Sequence, residues 1–121
     1  MIEAVDFATV FVDDYEAAVT FYRDVLGLEH RDYGKVAGGE FEAGNLTLQV
    51  MEAAAVGREF KASDHPIALR VADVEAARAE LAAAGIQFHG ETINSGVCHM
   101  AFFSDPAGNV LMLHRRYAPR D

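Results

Sequence analysis

The single cysteine of this sequence, Cys98, stands directly before a histidine, His99. A cysteine nucleophile needs a neighbouring base and an electropositive setting that lowers the pKa of its thiol. Adjacent residues of a β-strand point to opposite faces, and the segment around Cys98 has the composition of a strand. We therefore interpret Cys98 as a small buried hydrophobe, and we assign no catalytic residue.

Arg70 and His114 could contact a ligand. The Arg70 guanidinium could clamp a carboxylate or a phenolate, or stack on an aromatic ring. A salt bridge with one of the many acidic residues is the equally weighted alternative. His114 ends an apolar segment, where it could touch a ligand or be solvated beside Arg115 and Arg116. The sequence leaves both alternatives open.

An internal repeat indicates which elements position these residues. The segment Val12–Ala18 recurs as Val71–Ala77, 59 residues later, with five of seven positions identical. In each copy an alternating apolar strand precedes an aspartate, Asp14 or Asp73, that suits a helix N-cap. The same strand-then-helix arrangement therefore occurs twice in the chain.

The remainder of each copy predicts a helix that ends at a glycine, followed by further strands. Apolar residues follow each aspartate at helical spacing, and Gly27 and Gly85 mark the helix ends. Turn signals at Gly38-Gly39, Gly44-Asn45 and 105–109 divide the following strands, which we place at 31–36, 40–43, 46–51, 97–104 and 110–115. The pattern predicts an α+β fold of two tandem βαβββ modules in one domain over 1–121: module one at about 3–52, a connector at 53–64, and module two at about 65–116.

Strand alternation assigns the two faces of each predicted sheet. One parity is almost purely aliphatic and is predicted to pack beneath the helices: Ala8, Val10, Val12, Leu46, Leu48, Val50, Ile67, Leu69, Val71, Leu111 and Leu113. The other parity mixes apolar and polar residues: Phe7, Thr9, Phe11, Thr47, Gln49, Met51, Pro66, Ala68, Arg70, Val110, Met112 and His114. This mixture predicts the wall of a partly apolar pocket. A partly covered sheet face or a dimer contact is the alternative.

Composition excludes several classes of function. The chain has 10 basic and 19 acidic side chains, a formal charge of −9, so it would repel nucleic acid. The segment Ile2–Val12 lacks the basic flank and the length of a signal or membrane segment. Because Cys98 cannot form an internal disulfide, nothing requires an oxidising compartment, and we expect a cytoplasmic protein. From the charge and the lack of a membrane segment we expect no nucleic-acid and no membrane partner.

Three segments carry a resemblance to a known family. Phe21–Leu28, after Asp14, is similar to the "FY…vLG" text of the vicinal oxygen chelate superfamily, which includes glyoxalases, bleomycin resistance proteins and extradiol dioxygenases. Ala84-Gly85-Ile86 and 105–109 resemble its "aG" and "DPdGn" signatures. The resemblance implies two modules whose mixed sheets curve around a cavity and are flanked by helices, commonly in a homodimer.

In catalytic members of that superfamily, four side chains, usually His and Glu, hold a divalent metal. By resemblance, these positions fall on Phe7, Gln49, Pro66 and Met112. Phe and Pro offer no donor atom, the Met thioether is too soft for such cations, and Gln gives one neutral oxygen. A one-residue slip could bring in His65, but the gapless repeat opposes it. We therefore expect no metal and no other cofactor, with a divalent metal as the remote alternative.

The inward parity of strand 97–104 is not settled by periodicity. Cys98, Met100 and Phe102 compete with His99, Ala101 and Phe103, and resemblance to fosfomycin-resistance relatives favours Phe102. Four aromatic residues could then form a stacking box: Phe7, Phe11, Phe41 and Phe102. As ligand-binding residues we predict Phe7, Thr9, Phe11, Thr47, Gln49, Arg70, Phe102, Met112 and His114.

The leading hypothesis is a metal-free protein that sequesters a hydrophobic or aromatic compound, as bleomycin-type antibiotic-resistance proteins do. The acidic surface would favour cationic ligands at long range. One alternative is a lyase or isomerase of the glyoxalase type, or a dioxygenase-like enzyme, with an atypical or absent metal site. Another is a module or regulator that binds a protein partner.

Overall fold

The computed structural model describes residues 1–120, which form two compact units. The first is Met1–Ala62 and the second begins at Ser63. Each unit contains one copy of the repeat, and the division between Ala62 and Ser63 falls within the segment 53–64. Among these residues no helix has the length and apolar character to cross a membrane.

The first unit places a helix after its first strand and then three strands. The sheet order is β1-β4-β3-β2, with β1 parallel to β4 and the other pairs antiparallel. The elements are β1 (Ala8–Val12), α1 (Tyr15–Val19) continuing as a π-helix (Thr20–Val25), β2 (Glu29–Asp32), β3 (Gly38–Glu42), β4 (Thr47–Glu52) and a 3-10 helix (Ala53–Val56).

The second unit repeats this order. Its sheet has the order β5-β8-β7-β6, with β5 parallel to β8. The elements are β5 (Ile67–Arg70), α2 (Val74–Ala83), β6 (Ile93–Asn94), β7 (Cys98–Ser104) and β8 (Val110–Arg116). The prediction of two α+β modules is confirmed.

Both helices begin as the repeat predicts. The carboxylate of Asp14 accepts a hydrogen bond from the backbone N–H of Ala17 at 3.2 Å, and that of Asp73 from Ala76 at 3.0 Å. Each satisfies one N–H group of the first helical turn that has no intrahelical acceptor. Gly27 and Gly85 follow the helices with φ of 73° and 96°, which is the left-handed region that favours glycine.

The first helix differs from the regular helix predicted because its last six residues have π geometry. The backbone N–H of Leu26 donates to the carbonyl of Phe21, five residues earlier, at 2.9 Å. The wider turn buries both Phe21 and Tyr22. Tyr22 then packs on Phe41 of β3, with 5.6 Å between ring centroids.

The predicted turn at Gly38-Gly39 is wrong, because both glycines lie in β3. They are needed for close approach: a Cβ on Gly38 would overlap the Met51 side chain, and one on Gly39 would overlap the Tyr15 hydroxyl. The turn precedes them, at 33–37.

The aliphatic parity forms the core, as predicted. Its central members are buried: Val10, Val12, Leu48, Val50, Leu111 and Leu113. Ala8, Leu46, Ile67, Leu69 and Val71 are half-buried. We use "open face" for the opposite side of each sheet, away from its helix.

The predicted 105–109 turn is held by two buried side chains, Asp105 and Asn109. Asp105 accepts hydrogen bonds from the backbone N–H groups of Ala107 and Asn109 and from the Asn109 amide, each at 2.9 Å. The Asn109 Oδ1 accepts from the backbone N–H of Ser63 at 2.8 Å. The turn therefore also fixes the start of the second unit.

Candidate functional site

A chain of hydrogen bonds crosses the open face of the first sheet. The Thr9 hydroxyl donates to Gln49 Oε1 at 2.8 Å, and Gln49 Nε2 donates to the Tyr33 hydroxyl at 3.1 Å. The Tyr33 hydroxyl in turn donates to Glu40 Oε2 at 2.8 Å. Thr9, Gln49 and Glu40 are register partners on three neighbouring strands, which explains why their side chains meet.

This chain fixes the orientation of the Gln49 amide, since its oxygen and its nitrogen have different partners. Burial raises the pKa of the Tyr33 phenol, the hydrogen bond from Gln49 lowers it, and Glu40 raises it through a hydrogen bond and its charge. The net shift is upward, so Tyr33 is a neutral donor at ordinary pH. Such a preorganised polar row can orient a bound molecule without changing it.

Sequence analysis predicted Thr9 and Gln49 for this face but missed Tyr33 and Glu40. Alternation within 38–42 would have found Glu40, because the buried Phe41 fixes the opposite parity. Tyr33 was predicted to lie in a strand at 31–36, but β2 ends at Asp32 and Tyr33 follows it, so no strand face was assigned to it. The predicted Thr47 also lies here, and its hydroxyl donates to the Glu42 carboxylate at 2.9 Å.

The aromatic residues of the first unit divide between the two faces. Phe11 lies on the open face, with the Arg58 guanidinium 4.9 Å from its ring centroid. Phe7 precedes β1 and is 46% exposed. Phe41 does not belong to the predicted stacking box. It is buried on the helix side, where it stacks on His30 with 4.5 Å between centroids.

The open face of the second sheet brings together the predicted residues of that unit. Met112 is the register partner of both Ala68 and Phe102, and His114 is the partner of both Arg70 and Met100. This register settles the parity of β7: Cys98, Met100 and Phe102 face the same side as Met112. Phe102, Met112 and His114 are half-buried, whereas Arg70 is exposed.

Arg70 forms no salt bridge with the described residues of its own unit, 63–120, so the alternative of an acidic partner does not hold within that unit. Cys98 and His99 point to opposite faces, as predicted. The His99 ring packs against Tyr117 with 4.8 Å between centroids. Cys98 is half-buried, so the interpretation as a small buried hydrophobe holds only in part.

The four positions that the resemblance assigns to metal ligands do not fit a metal. Phe7 and Pro66 have no donor atom, and the only amide oxygen, from Gln49, already accepts from Thr9. Within 1–120 no group of three or more His, Cys, Asp or Glu side chains could hold an ion. His65 does not repair the site: its side chain is 96% exposed, 3.7 Å from the Asp64 carboxylate.

Comparison with known proteins decides the family. The profile of the Glyoxalase/Bleomycin resistance protein/Dioxygenase superfamily matches residues 4–113. The chain belongs to this superfamily. No curated protein matches it.

Solved structures of the superfamily share its fold. A glyoxalase family protein from Bacillus anthracis has a TM-score of 0.80 at 21% identity, with 96% of this chain and 97% of that chain covered. A superfamily member from Sphaerobacter thermophilus has a TM-score of 0.78 at 24% identity, with 93% and 97% covered. A lactoylglutathione lyase from Agrobacterium tumefaciens has a TM-score of 0.75 at 21% identity, with 94% of each chain covered. At these identities the likeness concerns the fold alone.

Proposed function

We propose that this superfamily member binds a hydrophobic or aromatic small molecule without a metal and sequesters it unchanged. The observation that carries the proposal is the chemistry of the positions equivalent to metal ligands. Phe7, Pro66 and Met112 replace oxygen and nitrogen donors with apolar surface, while the neutral Gln49 amide is held by hydrogen bonds with Thr9 and Tyr33. Such a surface suits apolar contact with a few orienting polar groups.

The predicted residues on the open faces have the properties needed for this role. Phe11 and Phe102 offer rings for stacking, and Met112 offers a flexible apolar surface that adapts to ligand shape. Thr9, Thr47 and Gln49 supply polar atoms, and Arg70 and His114 supply charge or hydrogen bonds. Sequestration forms and breaks no covalent bond, so apolar contacts with a few orienting polar groups suffice for this role. We further propose that the protein is cytoplasmic and forms a homodimer.

The experiment compares metal and organic ligands on the same protein. Chelator-treated protein is titrated with nickel, zinc, manganese and ferrous ions by calorimetry, and a panel of aromatic drugs and acids is screened by thermal shift. We expect a higher melting temperature with some aromatic compounds and no stoichiometric uptake of metal. Tight binding of one metal ion per chain would contradict the proposal and favour a glyoxalase-type enzyme. If neither the metal ions nor the aromatic compounds bind, a protein partner is favoured.

A pair of variants locates the binding surface. Phe102→Ala removes a half-buried ring from the open face of β7. Phe88→Ala removes a half-buried ring that packs against Phe103, on the other side of the same sheet, with 5.3 Å between centroids. We expect only the first to abolish the thermal shift. Size-exclusion chromatography with light scattering tests the proposed dimer.

A further inference from the structure

The open face of the second sheet carries positive charge only, although the chain as a whole is strongly acidic. Its strand positions, taken from the register of the four strands, are Ala68, Arg70, Ile93, Cys98, Met100, Phe102, Ser104, Val110, Met112, His114 and Arg116. No Asp or Glu is among them. The open face of the first sheet, by contrast, includes three acidic residues, Glu29, Glu40 and Glu42, beside one basic strand residue, Arg31. The segregation of charge marks the second face as a place for an anion.

The basic residues of this face are neighbours at one end of the sheet. Arg70 and His114 are register partners on adjacent strands, and Arg116 follows His114 by two residues on the same side of β8. Adjacent strands lie about 4.8 Å apart, and alternate residues of a strand about 7 Å apart. One carboxylate can therefore reach more than one of these side chains.

The hydrogen-bonding capacity of these cations is incompletely used within the described residues of their unit, 63–120. Arg70 has no salt bridge there. Arg116 donates from Nη2 to the carbonyl of Pro119 at 3.3 Å, but its Nε is buried and has no hydrogen-bond acceptor. Arg70, which is exposed, therefore keeps its guanidinium donors available to a ligand.

Apolar side chains occupy the next row of the same face. This row consists of the register partners Phe102, Met112 and Ala68 on three neighbouring strands. It lies two residues along the strands from the row of Arg70 and His114. Phe102 and Met112 are only half-buried, so their surfaces are accessible to a ligand. The face thus places an apolar platform directly beside a cationic end.

We propose that this face binds an organic anion: its carboxylate contacts Arg70 and its apolar body lies on Phe102 and Met112. The proposal rests on the proposed function and names the ligand class for it. It also reverses the expectation that the acidic chain prefers cationic ligands. Charges beyond about 8 Å are largely screened at physiological ionic strength, so the local cations outweigh the distant acids.

Three probes with one ring system isolate the effect of charge: 2-naphthoate, 2-naphthalenemethanol and 2-naphthylmethylammonium. Each is titrated into the protein at neutral pH, and binding is followed by backbone amide chemical shifts. We expect naphthoate to bind about tenfold more tightly than the alcohol, because a charge-assisted hydrogen bond is stronger than a neutral one. The ammonium compound should bind most weakly, and shifts should centre on β7 and β8.

Arginine variants test the assigned contact. Arg70→Gln should remove the preference for naphthoate over the alcohol and leave binding of the alcohol unchanged. Arg70→Lys should keep part of the preference, since lysine retains the charge but not the bidentate geometry. Arg115→Gln is the matched control, because Arg115 is exposed and points to the opposite face of β8. It should behave as the unmodified protein.

Two failures are distinguishable. If the alcohol or the ammonium compound binds as tightly as naphthoate, or if Arg115→Gln has the same effect as Arg70→Gln, the anion site is wrong and the proposed function stands. If none of the three probes binds, the anion site is likewise wrong, and the proposed function is overturned only if the wider panel of aromatic compounds also produces no thermal shift. Circular dichroism of each variant establishes that the fold is retained, which is expected because Arg70 is exposed.

Discussion

The hydroxyl of Tyr15 donates a hydrogen bond to the Asp32 carboxylate at 3.2 Å and thereby ties the first helix to the edge strand β2. The same oxygen lies 3.1 Å from Nε2 of His30. Burial is the largest influence on this phenol, and together with the charge and hydrogen bond of Asp32 it raises the pKa of Tyr15 well above its usual value. The hydroxyl therefore stays neutral and keeps its proton for the bond to β2.

Replacing Tyr15 by Phe should destabilise the first unit. The substitution leaves the Asp32 carboxylate and the His30 ring without their contact, and a hydrogen bond to a charged group contributes about 1.5–3 kcal/mol. Urea unfolding measures the change. Tyr117→Phe is the control, because the Tyr117 hydroxyl donates to Asn94 at an exposed site and should change the free energy by less than about 0.5 kcal/mol. Equal effects of the two would contradict a structural role for Tyr15.

The free energy of unfolding should fall in alkaline solution because of the same residue. The pKa of Tyr15 is higher in the folded than in the unfolded state, so the folded state holds a proton that the unfolded chain releases above about pH 10. The contribution is fully present below that pH and is lost as pH rises further. Urea midpoints between pH 8 and 11 should drop more steeply for the unmodified protein than for Tyr15→Phe. Parallel curves would be inconsistent with the raised pKa.

A methyl group at Gly39 should be poorly tolerated. The added Cβ would overlap the Tyr15 hydroxyl and lie 2.7 Å from the carbonyl oxygen of Arg31. Overpacking of this kind costs about 1–3 kcal/mol. Because Tyr15→Phe removes one of the two overlapping atoms, the double variant should lose less free energy than the sum of the single losses. The losses are measured by urea unfolding. If they are additive, the overlap with the Tyr15 hydroxyl contributes nothing to the cost of the Gly39 substitution.

Local and periodic features of this chain could be predicted from sequence. The helix caps Asp14 and Asp73 and the aliphatic core each follow from spacing of about 3.6 or 2 residues, or from a repeat. These properties depend on neighbours in the chain, which the sequence displays directly.

Features that depend on distant contacts could not be predicted. Gly38 and Gly39 have the local pattern of a turn, and only the positions of Met51 and Tyr15 explain why they lie in a strand. Tyr33 joins the open face through Gln49 and Glu40, from a position outside any strand. Whether Arg70 has an acidic partner likewise depends on the folded chain, so the sequence left a salt bridge and a ligand contact equally open.

Substituting Gln49 by Glu should break the hydrogen-bond chain of the first open face. The Tyr33 hydroxyl has one hydrogen, which Glu40 accepts, so a carboxylate at position 49 would face that oxygen without a donor and stand directly opposite Glu40. We expect a loss of about 1–3 kcal/mol at pH 8. The loss should shrink near pH 4, where protonation removes the repulsion. Gln87→Glu, at an exposed site, is the control, and an equal loss in both variants would contradict the chain.

The turn after β7 offers a test in which two chemically identical substitutions should differ. The Asn109 amide nitrogen donates to Asp105, so Asn109→Asp would place two buried carboxylates together and should cost several kcal/mol. The cost should decrease in acid, because a shared proton restores the lost donor. In Asn94 the oxygen accepts from Tyr117 and Gly96, and a carboxylate keeps both bonds, so Asn94→Asp should leave stability nearly unchanged. Thermal unfolding at pH 5 and 8 measures both variants. A pH-independent loss in Asn109→Asp would show that the loss arises from altered turn geometry without charge repulsion.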